Sequence, residues 1–327
     1  MFRHRIHTFC NGTNERVPTV QVHQLQFNPT PRNAMKVLLL CATGFIGSAV
    51  ANLVPKGVEL TAGFFSPDPD LDPHHARQHI DLLSTSTPWE DLVEQHDAIV
   101  IAARPNGATA TKRLDVAQRT KASMERLCGA IQTATSPVHV VAVHGSLSYG
   151  CQGEDEIKPG AGLHPVGFAE AYALAEGPLR QLVEAGGHAS LFRAPWVLGS
   201  GSWYAQMYAN GPSVPVLGQG DQWMSLVTVE DLAAQIWEAV QTQQRGVIHP
   251  TLLHRCRQAD FARTVSEITH RPLLKIGRWR LWRWEPQMRR SVMASIRLGD
   301  GHGERSESAR SRAALREALL AIHEALR

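Results

Sequence analysis

The run LLLCATGFIG at positions 38–47 carries the most specific chemistry in the sequence: aliphatic residues stop at Cys41, and Gly44 and Gly47 open a stretch of small and apolar residues at helical spacing. Glycines at a strand-to-helix turn let backbone N–H groups approach a pyrophosphate, and the helix N-terminus that follows favours its negative charge. Cys41, Thr43, Gly44, Phe45, Ile46 and Gly47 are therefore expected to hold the diphosphate of a dinucleotide. The plainer reading of the same residues is a tight βα turn with close helix packing. A second feature lies at 278–290, where Arg278, Arg280, Arg283, Arg289 and Arg290 interleave with Trp279, Trp282 and Trp284 against a single acid, Glu285. Such a pattern can stack on nucleotide bases or rest on an anionic lipid surface, and isolated arginines there can bind a substrate diphosphate. Its plainer reading is a helix with solvated arginines and with tryptophans facing the sheet domain.

The elements that must position these residues follow from the pattern of apolar residues. Short strands are expected over 37–40, 58–65, 98–102, 138–143 and 190–193, and helices over 45–54, 89–95, 114–134, 165–185 (despite Pro178), 229–240 and 313–326. Strands alternating with helices imply a parallel sheet covered on both faces, an α/β doubly wound arrangement. After Pro195 the pattern loosens into turns and aromatics up to 226, and 245–327 reads as a small, mostly helical lobe with a charged, Ser-rich hinge at 305–312. The domains are then a leader at 1–34, a dinucleotide-binding domain at 35–195, and substrate loops and lobe at 196–327 with sheet-completing segments. The leader is polar and aperiodic and is expected to be disordered; a misplaced start codon or a functional arm would look the same.

Composition narrows the function classes. The 327-residue chain is 43% hydrophobic and 19% charged, enough to bury a sizeable core, and a net charge of +3 is too small to point to nucleic acid. Cys10, Cys41, Cys128, Cys151 and Cys256 form no Cys-x-x-Cys pair and no Cys/His cluster at zinc spacing, so a reduced, metal-free, cytoplasmic protein is expected. No run approaches the ~18 apolar residues needed to cross a bilayer.

With these residues in place, the sequence resembles the extended short-chain dehydrogenase/reductase family, the NAD(P)-dependent epimerase/dehydratase group. Its T-G-x-x-G-x-x-G is matched at the second and third glycines by Gly44 and Gly47, while Cys41 replaces the first. Asp81 and Leu82 look like the family's Asp-Leu at the adenine. The strand 97–103, ending in Ala102 and Ala103, resembles the one whose small residues pass beneath the nicotinamide ribose. Arg193 to Gly199, with Pro195, looks like R-P-x-x-V-x-G; the runs 218–233 and 258–272 resemble the family's later segments. The resemblance implies a Rossmann-type fold with a small C-terminal substrate lobe, and NAD or NADP as cofactor. The end of the second strand offers Phe65 to stack on adenine and Ser66 to accept either cofactor, with neither an acid for a ribose hydroxyl nor an arginine for a 2'-phosphate.

Catalysis is where the resemblance breaks. The family uses a serine or threonine, a tyrosine and a lysine, the last two in Y-G-x-S-K-x-x-A-E. Here Glu176 fixes the frame and puts Phe168 in the tyrosine place and Tyr172 in the lysine place. Shifting the frame makes Tyr172 the acid, but puts Glu176 where the lysine belongs. Gly145 falls at the usual serine site, one residue before Ser146. Tyr172, Ser146 and His144 are the candidate proton-handling residues, with His144 open to a structural reading and Tyr149 to plain packing. Trp203, Tyr204 and Gln206 lie in the loop where related proteins recognise substrate, and either substrate recognition or lobe packing accounts for them. Two functions follow: an NAD(P)-dependent oxidoreductase or epimerase on a small or sugar-nucleotide-like substrate, or a cofactor-binding sensor or scaffold without turnover. A small-molecule substrate is the implied partner, and a homodimer stays open.

Overall fold

The computed structural model describes residues 34–66, 71–299 and 309–326; residues 1–33 of the expected leader (1–34) and 305–308 of the expected hinge (305–312) lie outside them, and the rest of that hinge, 309–312, is helical. The chain opens with β1 (Met35–Leu40), α1 (Phe45–Asn52), β2 (Val58–Phe64) and β3 (Ala76–His79), followed by α2 (Trp89–Glu94), β4 (Ala98–Ile101) and α3 (Ala110–Thr133). Then come β5 (His139–Gly145), a 3₁₀ turn (Ser146–Tyr149), α4 (Ala169–Glu184), β6 (Ala189–Ala194) and β7 (Trp196–Leu198). A π turn (Ala205–Ala209), β8 (Val214–Leu217), β9 (Trp223–Thr228), α5 (Val229–Thr242) and β10 (Gly246–Ile248) lead to β11 (His254–Arg257), α6 (Gln258–Thr269) and β12 (Leu273–Ile276). The chain ends in α7 (Arg278–Leu281), α8 (Pro286–Met293) and α9 (Ala309–Ala325).

Seven strands form one parallel sheet in the order β10-β6-β5-β4-β1-β2-β3. Chain order runs outward in both directions from β1, with the reversal between β1 and β4. A doubly wound sheet places its crevice at such a switch point, outside the carboxyl ends of the strands. Side chains of β1 alternate between two cores. Val37 and Leu39 pack with Val50 of α1 and with Leu232, Ile236 and Trp237 of α5. Leu38 and Leu40 pack with Trp89 and Leu92 of α2, Leu127 of α3 and Leu179 of α4. Burial on both faces is why these strands read as continuous aliphatic runs.

The lobe adds sheets of three strands (β11-β9-β7) and two (β12-β8) around a core of Tyr204, Tyr208, Phe261, Val265, Leu315 and Leu319. The region 196–226, which reads as turns and aromatics in the sequence, thus contains three strands. The helix expected over 165–185 begins only at Ala169. Gly167 takes φ +61°, and a β-carbon there would meet Ser291 of α8 at 2.2 Å, so the chain reaches α4 through a glycine pressed against α8. Pro178 lies inside α4 and is buried. The helix of 114–134 extends back to Ala110, capped by Thr109, whose hydroxyl accepts the Lys112 N–H.

Candidate functional site: a dinucleotide crevice with an altered catalytic helix

The turn after β1 is built from backbone. Cys41 takes φ +62°, a left-handed conformation that costs a non-glycine residue about 1–2 kcal/mol, so the cysteine standing in a glycine's place keeps the glycine's backbone. The Cys41 carbonyl accepts the Gly44 N–H at 3.0 Å, and Gly63 of β2 accepts the Ala42 N–H at 2.9 Å. A β-carbon on Gly47 would lie 2.0 Å from the Cys41 carbonyl oxygen, so only glycine lets α1 approach this turn. Gly44, the N-cap of α1, supplies no side-chain cap, which leaves first-turn N–H groups of the helix for an external acceptor. These features fit a diphosphate held by main-chain N–H groups at a helix N-terminus.

The other residues expected at the cofactor divide by position. Ala102 and Ala103 follow β4, next to β1 across the switch point, with Ala102 donating to the Leu40 carbonyl at 3.3 Å. Phe65 is 61% exposed just past β2, its ring 5.7 Å from that of His79 at the end of β3, with exposed Ser66 following. His79 is a neighbour the sequence did not flag, because β3 is a short, polar edge strand. Asp81 uses its carboxylate to accept the Leu83 N–H at 2.8 Å and its carbonyl to accept the Thr87 hydroxyl, ordering the segment that carries Leu82. Pro195 is buried between β6 and β7. The Phe45 ring packs against the segment after β7, where β-carbons on Gly199 and Gly201 would meet it at 2.8 and 3.0 Å.

At the catalytic positions, Phe168 is the N-cap of α4 and Tyr172 lies one turn on, its ring stacked 6.4 Å from that of Phe168. The Arg113 guanidinium covers the Phe168 ring at 4.7 Å. Arg113 is buried and fixed on every side: it donates to Glu285 at 3.0 Å, to Gln287 at 2.8 Å and to the Gly107 carbonyl at 3.0 Å. The Phe168 ring is thus covered on one face by a cation from α3 that is itself held at the start of α8. The Phe168 N–H donates to Ser291 Oγ, and Arg290 pairs with Glu170 at 2.9 Å. None of this joinery was visible in sequence, because Arg113 and its partners in α8 are 172 and 174 positions apart.

Beneath these residues lies a buried polar network. Arg193 on β6 grips Glu176 of α4 with two hydrogen bonds of 2.6 Å, and Ser148 donates to the same carboxylate at 3.3 Å. Burial alone would raise the Glu176 carboxyl, but the Arg193 fork, with His144 and Ser148, takes it below the usual carboxylate range. His144 has Nδ1 3.7 Å from Glu176, and its buried Nε2 has no partner among the described residues. Desolvation outweighs the carboxylate and pushes the ring down to about 4, so His144 is neutral near pH 7. Ser146 is buried in the 3₁₀ turn, and Gly145 before it leaves open space where a β-carbon would stand. Tyr149 is fully buried, donates to the Pro159 carbonyl at 2.9 Å and meets His249 Nε2 at 2.8 Å, and burial pushes its phenol up to about 12.

The lobe aromatics expected near substrate are engaged with one another. Trp203 stands 4.6 Å from Trp196 and 5.7 Å from Tyr208, and Tyr204 is fully buried against Tyr208 and Phe261. Tyr204 is thus packed in the lobe core, as the packing reading of this residue expects. Gln206 alone of the three is exposed.

Comparison with protein families matches the NAD dependent epimerase/dehydratase model over residues 37–251, more than half of the chain. The chain belongs to that family. Comparison with curated proteins finds no match. Among solved structures, this epimerase/dehydratase-family chain is similar to the human epimerase family protein SDR39U1 (isoform 2), crystallised with NADPH. The two share 21% identity over 89% of this chain and 99% of that one, with a TM-score of 0.69. It is also similar to DesIV, the dTDP-glucose 4,6-dehydratase of Streptomyces venezuelae, crystallised with NAD and TYD (16% identity, 89% and 96% covered, TM-score 0.67). A third similar structure is the UDP-glucuronic acid 4-epimerase of Bacillus cereus with UDP-glucuronic acid and NAD (13% identity, 89% and 99% covered, TM-score 0.67). These likenesses bear on the fold.

Proposed function

We propose that this family member is an NAD(P)-dependent oxidoreductase or epimerase acting on a small or sugar-nucleotide-like substrate, with a proton-handling group other than the family's tyrosine. The observation that carries the reading is the turn Cys41 to Gly47, held in a glycine conformation with no room for a side chain at Gly47, at the switch point of the sheet. Main-chain N–H groups at Gly44 to Gly47 bind the diphosphate, Phe65, Ser66, Asp81 and Leu82 face the adenosine end, and Ala102 and Ala103 leave room for the nicotinamide ribose. The bound nicotinamide supplies the hydride chemistry. Phe168 has no proton to move. Of the remaining groups, neutral His144 holds one N–H with which to orient a substrate oxygen, Ser146 offers a buried hydroxyl, and Tyr172 is the half-buried acid. NADPH and NAD both occur in the similar structures, and either serves as cofactor in this reading.

A second reading, a cofactor-binding sensor or scaffold without turnover, is favoured by the Arg113 cover over Phe168. Calorimetry with NAD⁺, NADH, NADP⁺ and NADPH, followed by turnover of a panel of nucleotide sugars and small carbonyl compounds, separates the two. We expect heat with at least one pair and a turnover that Tyr172→Phe lowers by about 10²-fold or more. Heat without turnover on any substrate selects the sensor, and silence with all four forms removes both.

A further inference from the structure

The Trp/Arg run at 278–290 was expected, on its plainer reading, to turn its tryptophans inward. The structure turns two of them outward: Trp279 is 82% and Trp282 75% exposed, while Leu281 between them is buried. The segment is ordered. Gly277 accepts the Leu281 N–H at 3.1 Å, Arg278 accepts the Trp282 N–H at 2.9 Å, and Leu281 is locked against Leu217, Val292 and Met293. Spacing of three on a helical turn puts Trp279 and Trp282 on one side, opposite the anchored leucine.

Cations alternate with the exposed rings along the chain. Arg278, Arg280 and Arg283 are all exposed with no ion-pair partner among the described residues, and the Arg289 guanidinium lies 5.3 Å above the Trp282 ring. The single acid of the run, Glu285, is committed to Arg113 and to the Met288 N–H, so it neutralises none of them. Exposed aliphatic residues lie in the same stretch of chain, Leu273 and Leu274 on β12 and Met288 on α8. We propose that this turn is a docking surface for the headgroup region of an anionic membrane.

The composition of the surface selects lipid over other partners. Indole rings partition to the boundary between headgroups and acyl chains, and arginines beside them meet lipid phosphates and carboxylates. A single-stranded nucleic acid would also use rings and arginines, but it needs a groove of charge along several nucleotides. Among the described residues no helix is long and apolar enough to cross a membrane, so the attachment is peripheral and reversible.

The test is sedimentation of the full chain with vesicles of phosphatidylcholine and phosphatidylserine in equal parts, against vesicles of phosphatidylcholine alone. We expect binding to the anionic vesicles only, weakening as salt rises. Arg278→Gln/Arg280→Gln/Arg283→Gln should weaken it on the order of 100-fold, and Trp279→Ala/Trp282→Ala should also release the protein. Both variants should keep the parent's thermal midpoint, because every altered side chain is exposed. Equal binding to the two vesicle types, no binding to either, or variants that bind as the parent does overturn the proposal. So does a parent dimer that the tryptophan variant dissociates, since a second copy is then the occupant, or an oligonucleotide that binds through the same arginines where vesicles do not.

Discussion

At the scale of single residues, the turn after β1 was readable because everything that defines it lies within seven positions. Gly44 and Gly47 announce the close approach, and Cys41, which breaks the pattern in letters, keeps it in backbone at φ +62°. The decisive contact is between the position of an absent side chain and a carbonyl: a β-carbon at Gly47 would stand 2.0 Å from the Cys41 oxygen. Gly47→Ala should therefore force the turn apart, costing about 1–3 kcal/mol of stability as an overpacked site does and abolishing dinucleotide binding. Gly129→Ala is the control. Gly129 lies inside α3 with nothing within 4 Å of an added β-carbon, so the same methyl group there should stabilise the helix by about 0.5–1 kcal/mol. Urea unfolding of the two variants checks the contrast, and similar values for both would place the close approach elsewhere. Phe168 was equally readable as a departure, since its identity needs only the spacing to Glu176. What covers it was not, because Arg113 and α8 meet it from far along the chain.

At the scale of elements, the aliphatic strands declared themselves because burial on both faces leaves them mostly apolar. The misses have the opposite cause. β3 reads ARQH and lies exposed at the sheet edge, and β7, β8, β9, β11 and β12 are short strands among the lobe's aromatics, so neither a run nor an alternation stands out. The join between α4 and β6 carries the strongest energetic consequence. Glu176 and Arg193 are each only 1% exposed at the side chain and share two 2.6 Å hydrogen bonds. In sequence both read as family letters, and their pairing emerges only once β6 lies beneath α4. Glu176→Ala strands a buried guanidinium and should cost about 3–5 kcal/mol, whereas Glu176→Leu/Arg193→Met removes both charges and should recover most of that loss. A double-mutant cycle on urea midpoints measures the coupling. Additive effects would mean that the pair is hydrated and contributes little.

At the scale of the whole molecule, the buried histidines tie the fold to pH. His139 and His144 are each pushed down to about 4 by burial from an ordinary value of 6.5, and His249 is lowered as well. A group whose folded pKa lies below its unfolded pKa contributes its full stability above the unfolded value. Below pH 6.5 the unfolded chain takes up protons that the folded chain refuses, and His139 and His144 each then cost up to about 1.4 kcal/mol per pH unit until their folded pKa near 4 is reached. Glu176 adds to the loss at the lower end, because its carboxyl is held below 4.5 in the fold. Stability should thus be flat between about pH 7 and 8, fall steadily from pH 6.5 to pH 4, and fall further as carboxylates protonate. The histidine part is separable: His139→Leu replaces one buried ring and should flatten the slope between pH 6.5 and 4 by about 1 kcal/mol per pH unit, while leaving the region below it unchanged. Urea midpoints across that range give the slopes directly. If the variant's slope equals the parent's, His139 protonates freely in the folded protein and contributes nothing to the loss of stability.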